Sequence, residues 1–305
     1  MKHSACVLAI TSFSSVALAP SFAGAQLGNL TYTAQEVGHP IDLFQGANMP
    51  DGPGGIDTVF MAHGYLVVLG TKDSGKPPGT FHIFDVNDPK NPKLLKTYGG
   101  ADTANLREYH MWTGSKVGGM DIIACPTTTG LAFFDFTDAL NPKLAGSLTL
   151  TGVNGGDYTN AAWISSYSWP YVFTGSSGSG VNITDATDPT KPTLIKTIPI
   201  GQIGNFRVGP VYAAGNYLVI TNMDQDPFHA SVLDVSDPKN ASLLTTVTSP
   251  NGVYSSLVIG DWIFGGGINA NYTFAKWTPN AIKVVAQKKI GVDKGAYCTL
   301  QDNFG

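Results

Sequence analysis

Phe81 to Leu95 reads FHIFDVNDPKNPKLL, and the same phrase returns three times without gaps. The copies are Leu131 to Ala145 (LAFFDFTDALNPKLA), Val181 to Ile195 (VNITDATDPTKPTLI) and Ala230 to Leu244 (ASVLDVSDPKNASLL). Their leading aspartates, Asp85, Asp135, Asp185 and Asp234, are spaced by 50, 50 and 49 residues. A fixed period in this range marks an array in which one supersecondary unit recurs. A degraded fifth copy runs from Asn271 to Trp277, followed by Thr278-Pro279 and a strand-like stretch at Ile282 to Ala286.

Each copy reads as strand, turn, strand. The first strand is rich in β-branched and aromatic residues and ends at the Asp. Asp-x-(Asn/Thr/Ser)-Asp-Pro then forms the turn in three copies. Pro presets φ, and the polar side chains bond back to nearby backbone N–H groups. A second Pro (Pro92, Pro142, Pro192) keeps the exit extended and removes a ladder donor, which suits an outer strand. Ala241 takes its place in the fourth copy, and Ala139 replaces the first Pro in the second. Two more strand-like runs precede each copy: Tyr109 to Trp112 and Asp121 to Cys125 in the second unit, Val208 to Ala213 and Tyr217 to Thr221 in the fourth. Four antiparallel strands per unit at this period predict an all-β chain, a β-propeller of four-stranded blades. A parallel β-helix would repeat sooner, and βαβ units would need crossover helices that the pattern lacks.

An aromatic column supports this register. Tyr109, Tyr158, Phe206, Tyr254 and Tyr297 recur at spacings of 49, 48, 48 and 43, each expected to open an innermost strand. Tyr297 to Phe304 reads as the first strand of a sixth blade, and Leu30 to Gly38 as an outer strand able to join it. The expectation is five blades plus the start of a sixth. The chain is then either truncated at its C-terminus or closed on five blades with an overhanging tail.

The phrases HIFDVNDPKNPKLL, AFFDFTDALNPKLA, NITDATDPTKPTLI and SVLDVSDPKNASLL resemble the apolar-apolar-Asp-Val-Ser-Asp-Pro-x-x-Pro unit of the LVIVD-repeat family. That family comprises secreted bacterial and archaeal propellers, and the resemblance runs from about residue 30 to 290. It implies the propeller fold and a surface or periplasmic role. It carries over no catalytic residue, because the family shares no catalytic motif. Thr184 and Ala186 around the third Asp, and the whole fifth copy, depart from its pattern.

Residues 1–25 read as a secretory signal peptide: Lys2 and His3 start it, Val7 to Ala19 are largely apolar, and Ala23-Gly24-Ala25 offers a small-x-small cleavage site. The apolar stretch is shorter than the roughly 20 residues of a membrane span, and no later one is long enough. Cys6 precedes that stretch, which argues against a lipid anchor. The propeller is therefore assigned to residues 26–305, in a chain exported to the periplasm, cell surface or medium. Cleavage removes one Lys and no acid, turning a net charge of −4 into −5. Such mild acidity leaves no electrostatic footprint for nucleic acid or an anionic membrane. Cys125 and Cys298 remain, either as one disulfide or, as favoured, as two small buried hydrophobes in non-adjacent units.

Familiar catalytic strings are absent: His-Glu-x-x-His, Gly-x-Ser-x-Gly, a phosphate-binding Gly-rich loop with Lys, and Cys-x-x-Cys. Gly175 to Gly180 precedes a strand and reads as a hairpin turn. The repeated aspartates read as turn caps rather than calcium ligands, since they lack the EF-hand spacing and its Gly. Propeller ligand sites sit where inner strands begin, around the channel mouth. That position selects Arg107, Glu108, His110, Asp157, Arg207 and Ser255. Glu108 or His110 suits acid–base work or, with His63, metal ligation. Arg107 and Arg207 suit a carboxylate or phosphate clamp. The plain alternatives are a structural Arg–Glu pair and a hydrogen-bonded packing His. The reading placed first is an exported binding or interaction scaffold for a protein, glycan or small molecule, with no cofactor specified. A metal-dependent exported enzyme with its site at the channel mouth comes second, and a structural module of a larger surface assembly third.

Overall fold

The computed structural model describes residues 56–289, apart from short breaks at 74–75, 89–90, 107–112, 156–157, 169, 224–226, 251, 254 and 267–270. The expected signal peptide, the stretch 30–38, Tyr297 to Phe304 and Cys298 lie outside the described residues, as does Trp169. All the described strands fall into five four-stranded antiparallel sheets. The first holds β1 (Ile56–Ala62), β2 (Tyr65–Asp73), β3 (Lys76–Asp85) and β4 (Lys93–Gly99). The second holds β5 (Thr113–Val117), β6 (Met120–Pro126), β7 (Gly130–Asp135) and β8 (Lys143–Thr149). The third holds β9 (Ile164–Ser168), β10 (Tyr171–Gly175), β11 (Val181–Asp185) and β12 (Thr193–Ile198). In the fourth are β13 (Val208–Ala214), β14 (Tyr217–Asn222), β15 (Phe228–Asp234) and β16 (Ser242–Ser249). In the fifth are β17 (Ser255–Ile259), β18 (Trp262–Gly266), β19 (Asn271–Thr278) and β20 (Ala281–Lys289). Each sheet is an up-and-down meander in chain order, consistent with a propeller blade.

The repeated phrase forms the third and fourth strands of the first four blades, and its aspartates hold the turn between them. Asp85, Asp135, Asp185 and Asp234 each accept, through Oδ1, the backbone N–H two residues on at 2.9 Å. The second aspartates do the same for the next corner. Asp188 Oδ1 accepts from Thr190 N at 3.0 Å, and Asp237 Oδ1 from Lys239 N at 3.1 Å. These are Asx turns, in which a carboxylate takes the place of a backbone carbonyl.

Core packing follows strand alternation. Ile123, Cys125, Ala132 and Phe134 face the first blade, while Ile122, Ala124, Leu131 and Phe133 face the third. Leu218 and Ile220 face the third blade, and Val219 the fifth. Middle strands are thus buried on both sides, which is why they read as continuous apolar runs instead of alternating ones. Burial pushes the Cys125 thiol well above its ordinary pKa, so it behaves as a small hydrophobe.

One irregularity recurs in all five blades. The register between third and fourth strands slips between Ile83 and Phe84, Phe133 and Phe134, Ile183 and Thr184, Val232 and Leu233, and Phe274 and Ala275. The unopposed residues are Leu95, Ala145, Ile195, Leu244 and Val285, so each fourth strand carries a β-bulge at an equivalent place. The residue after the bulge meets the turn of the next blade. Lys96 Nζ donates to Asn141, Lys196 Nζ donates to Ala241 O at 3.1 Å, and a Cβ on Gly146 would lie 2.4 Å from Pro189 O.

In the third and fourth blades the inner strand starts later than the aromatic column suggests, whereas β17 starts at Ser255, next to Tyr254 in sequence. β5 begins at Thr113, beyond Tyr109 to Trp112, which are outside the described residues. Phe206 lies ahead of β13, buried and stacked on His229 at 5.2 Å between ring centroids. Tyr158 opens a single 3-10 turn (Tyr158–Asn160), well before β9. Tyr158 and Phe206 therefore lie in the connectors between blades, ahead of the strands they were expected to open.

Candidate functional site

Each blade has two ends. The turn end carries the first-to-second and third-to-fourth hairpins. The connector end carries the second-to-third loops and the links between blades.

Among the residues selected from the sequence, Arg107, Glu108, His110 and Asp157 lie outside the described residues. Arg207 sits half-buried at the connector end, where Nε and Nη2 both donate to Ser177 Oγ, at 3.2 and 3.0 Å. Ser177 is held in the left-handed region (φ 49) of the β10–β11 loop, and its carbonyl accepts from Val208 N at 3.1 Å. The Gly175 to Gly180 stretch is thus the hairpin loop expected, and it also positions the arginine. Ser255 opens β17 opposite Gly266. His63 lies at the turn end, in the β1–β2 hairpin, with Nε2 2.7 Å from Asp121 Oδ2. The fold therefore places His63 at the end of the blades opposite to Arg207. No group of three His, Cys, Asp or Glu side chains forms a metal-ligand cluster among the described residues.

The turn aspartates are committed to their own turns. Hydrogen bonds from Asn141, Thr190, Ser236 and Asn240 are the largest influence holding Asp138, Asp188, Asp234 and Asp237, respectively, below the ordinary carboxylate range.

A polar rung crosses from the third to the fourth strand near the connector end. In the first blade His82 Nδ1 lies 3.2 Å from Thr97 Oγ1. In the third, Thr197 Oγ1 donates to Asn182 Oδ1 at 2.7 Å. In the fourth, Ser231 Oγ donates to Thr246 Oγ1 at 3.0 Å and lies 2.8 Å from Ile203 O in the preceding connector. In the fifth, Gln287 Nε2 donates to Thr273 Oγ1 at 3.0 Å, while Gln287 Oε1 accepts from Ser249 Oγ of the fourth blade at 2.7 Å. The second blade breaks the series, because Ala132 stands opposite Ser147.

A cavity of about 250 Å³ opens beside that break. Its floor includes Leu106, Leu131, Ala132, Leu144 and Leu148, and its rim includes Asp102, Asn105, Thr129, Ser147 and Thr149, all five exposed. The rim is braced from the first blade: Tyr98 OH donates to Asp102 Oδ2 at 2.6 Å. Burial, then the bond to Asp102, pushes the Tyr98 pKa up to about 12, so it stays a donor across the physiological range. The corresponding seam between the third and fourth blades is filled. There the connector residue Gly204 has φ +104, and a Cβ on it would lie 2.8 Å from Thr246 Oγ1 and 3.2 Å from Ser231 Oγ. Sequence reasoning passed over Ala132, Ser147, Asp102 and Asn105. The signal was an alanine in register with His82, Asn182, Ser231 and Thr273, visible by stacking the copies column by column.

The architecture is that of a β-propeller-like repeat protein, and solved structures share it. A functionally unknown protein from Desulfotomaculum acetoxidans matches with a TM-score of 0.54 at 13% identity, over 76% of this chain and 69% of that one. The computationally designed Ika8 protein matches with a TM-score of 0.53 at 11% identity, over 81% and 66% respectively. A chain of the Mitotic Checkpoint Complex matches with a TM-score of 0.55 at 16% identity, over 78% and 66%. The present chain thus spans about two thirds of the length of these structures, and the likeness is one of fold. No known family and no curated protein matches the sequence.

Proposed function

We propose that this chain is an exported propeller of the LVIVD-repeat kind that serves as a binding scaffold and engages its ligand at the connector end. The observation that carries this reading is the cavity beside Ala132, a concave, partly apolar site with a polar rim among the described residues. At the turn end, by contrast, the aspartates of the repeated turns are consumed by local hydrogen bonds, and Asp121 and Asp261 by His63 and Lys276. On this reading residues 1–25 direct export.

The test is a thermal-shift screen of the mature protein against glycan and small-molecule panels. A ligand at about 100 times its dissociation constant stabilises the folded state by about 2.7 kcal/mol, a rise of a few degrees in Tm. The expected hit loses its effect when Asn105 or Ser147 is replaced by Ala and keeps it when Thr187, at the turn end, is replaced by Val. A hit with the reverse pattern would overturn the assignment of the binding end.

A further inference from the structure

We infer that the cavity between the connector 101–106 and the second blade, beside the missing rung at Ala132, is a selective site for one neutral, hydroxyl-bearing ring of about monosaccharide size. The inference deepens the binding reading above and rests on it.

The repeat supplies its own control. The connector Asp102 to Asn105 precedes the second blade as Gln202 to Asn205 precedes the fourth, two periods later. In the fourth blade the seam is closed by Ser231 and Thr246, with Ser231 reaching the connector carbonyl of Ile203. In the second blade the same column holds Ala132, whose Cβ cannot reach across, and Ser147 is left on the rim of a space of about 250 Å³. The opening thus lies beside the one described blade in which this recurring contact is absent.

The walls define the guest. Asp102 is a carboxylate that accepts from Tyr98 at 2.6 Å, so it disfavours an anion and keeps acceptor capacity for a hydroxyl. Asn105, Thr129, Ser147 and Thr149 present uncharged donors and acceptors on the rim, while Leu144 and Leu148 offer an apolar flank. A pyranose ring carries this same division, hydroxyls around its edge and C–H groups on its faces. The volume lies just under the usual range for drug-sized ligands, about 300–1,000 Å³, and so seats one ring.

The test uses the full mature chain and ligand-observed saturation-transfer NMR with methyl β-D-glucopyranoside, methyl β-D-galactopyranoside and methyl α-D-mannopyranoside. For a ligand this small the expected dissociation constant is on the order of 1 mM. Ala132→Asn places in the second blade the side chain that the third blade has as Asn182, opposite Ser147 as Asn182 is opposite Thr197. It is expected to weaken binding at least about tenfold while Tm holds or rises. Ser147→Ala, which leaves the core intact, is expected to weaken the same sugar and serves as the readout if Ala132→Asn fails to fold. Failure of all three glycosides to bind at concentrations well above 1 mM, or unchanged binding in both variants, overturns the inference. Unchanged binding in both variants, but loss on substitution elsewhere at the connector end, sinks this site and leaves the scaffold reading standing. Binding of a small amine such as ethanolamine in place of the glycosides would also overturn it, by identifying Asp102 as a cation site.

Discussion

The fifth blade does with two residues what the second, third and fourth do with an aspartate turn. In those blades the residue after the leading Asp donates its N–H back to the inner hairpin: Phe136 to Asp121 O, Ala186 to Pro170 O and Val235 to Asn216 O, each at 2.8 Å. The fifth blade makes the same bond from Trp277 to Asp261 O, also at 2.8 Å, which puts Lys276 where the Asp belongs. No Asx turn follows it; Thr278 pairs directly with Ala281 across Pro279 and Asn280. Lys276 instead lies 3.3 Å from Asp261 Oδ2 and 4.5 Å over the Trp262 ring. Yet the bulge, the strand register and the seam are kept. The lesson is that the buried faces and the slipped register define a blade, while the aspartates secure one corner of it.

If so, the largest loss comes from the seam. Trp277→Ala removes a side chain that packs between the fourth and fifth blades and donates Nε1–H to Gly260 O at 2.9 Å. It should cost about 3–5 kcal/mol in urea unfolding, as large aromatic truncations in cores do. A cost no greater than that of removing a turn aspartate would break the comparison. A smaller loss is expected from Gly146→Ala, whose Cβ would collide with the backbone of the next turn at Pro189 O. About 1–3 kcal/mol is expected, since neither side can yield cheaply. The fifth blade carries Ala286 at the equivalent position, exposed, so Ala286→Gly should change stability far less.

The aspartate corners should show themselves in acid. Asp138, Asp188, Asp234 and Asp237 have folded pKa values lowered from 3.8, chiefly by side-chain hydrogen bonds. The folded state therefore binds fewer protons, and their stabilisation is complete above the unfolded value and lost as pH falls through the folded ones. Amide exchange at the turns of the second to fourth blades should quicken as pH drops below about 4, beyond its intrinsic change, while the Thr278–Ala281 turn holds. Asp234→Asn should flatten that response in the fourth blade alone. The smallest effect belongs to Lys276→Ala, which loses an exposed ion pair and a ring contact. Under about 1 kcal/mol is expected in the same urea assay.

How much of this was legible in the sequence depends on whether a feature is local. The Asp-Pro turns are, because side chain and target N–H lie two residues apart, so the period and the third and fourth strands of the described blades could be read directly. Even the degraded copy from Asn271 to Trp277 fell on β19. The bulges were not legible, since a slip at Phe84 exists only relative to Leu94 and Leu95 on the neighbouring strand. The fourth inner strand was legible from Val208 onward, but Phe206, which looks like a strand residue, belongs to the connector, where it stacks on His229. The candidate site was sought where charge is dense, at Arg107 to His110. The cavity instead follows from an alanine, and Ala132 is unremarkable until compared with His82 and Asn182 in the folded columns.

The recurring bulge also bears on how so weakly charged a surface meets a second chain. Charged residues make up 13% of this chain, against roughly 25% in average domains, and Leu94, Leu95, Leu243, Leu244 and Val285 on the fourth strands are exposed. A flat strand with such a surface is a template onto which another chain can zip, backbone to backbone. Five kinks at equivalent places interrupt that template, so a second molecule meeting the rim finds donors and acceptors out of step after a few residues. The slip that shapes each blade therefore doubles as a guard against edge-to-edge clumping.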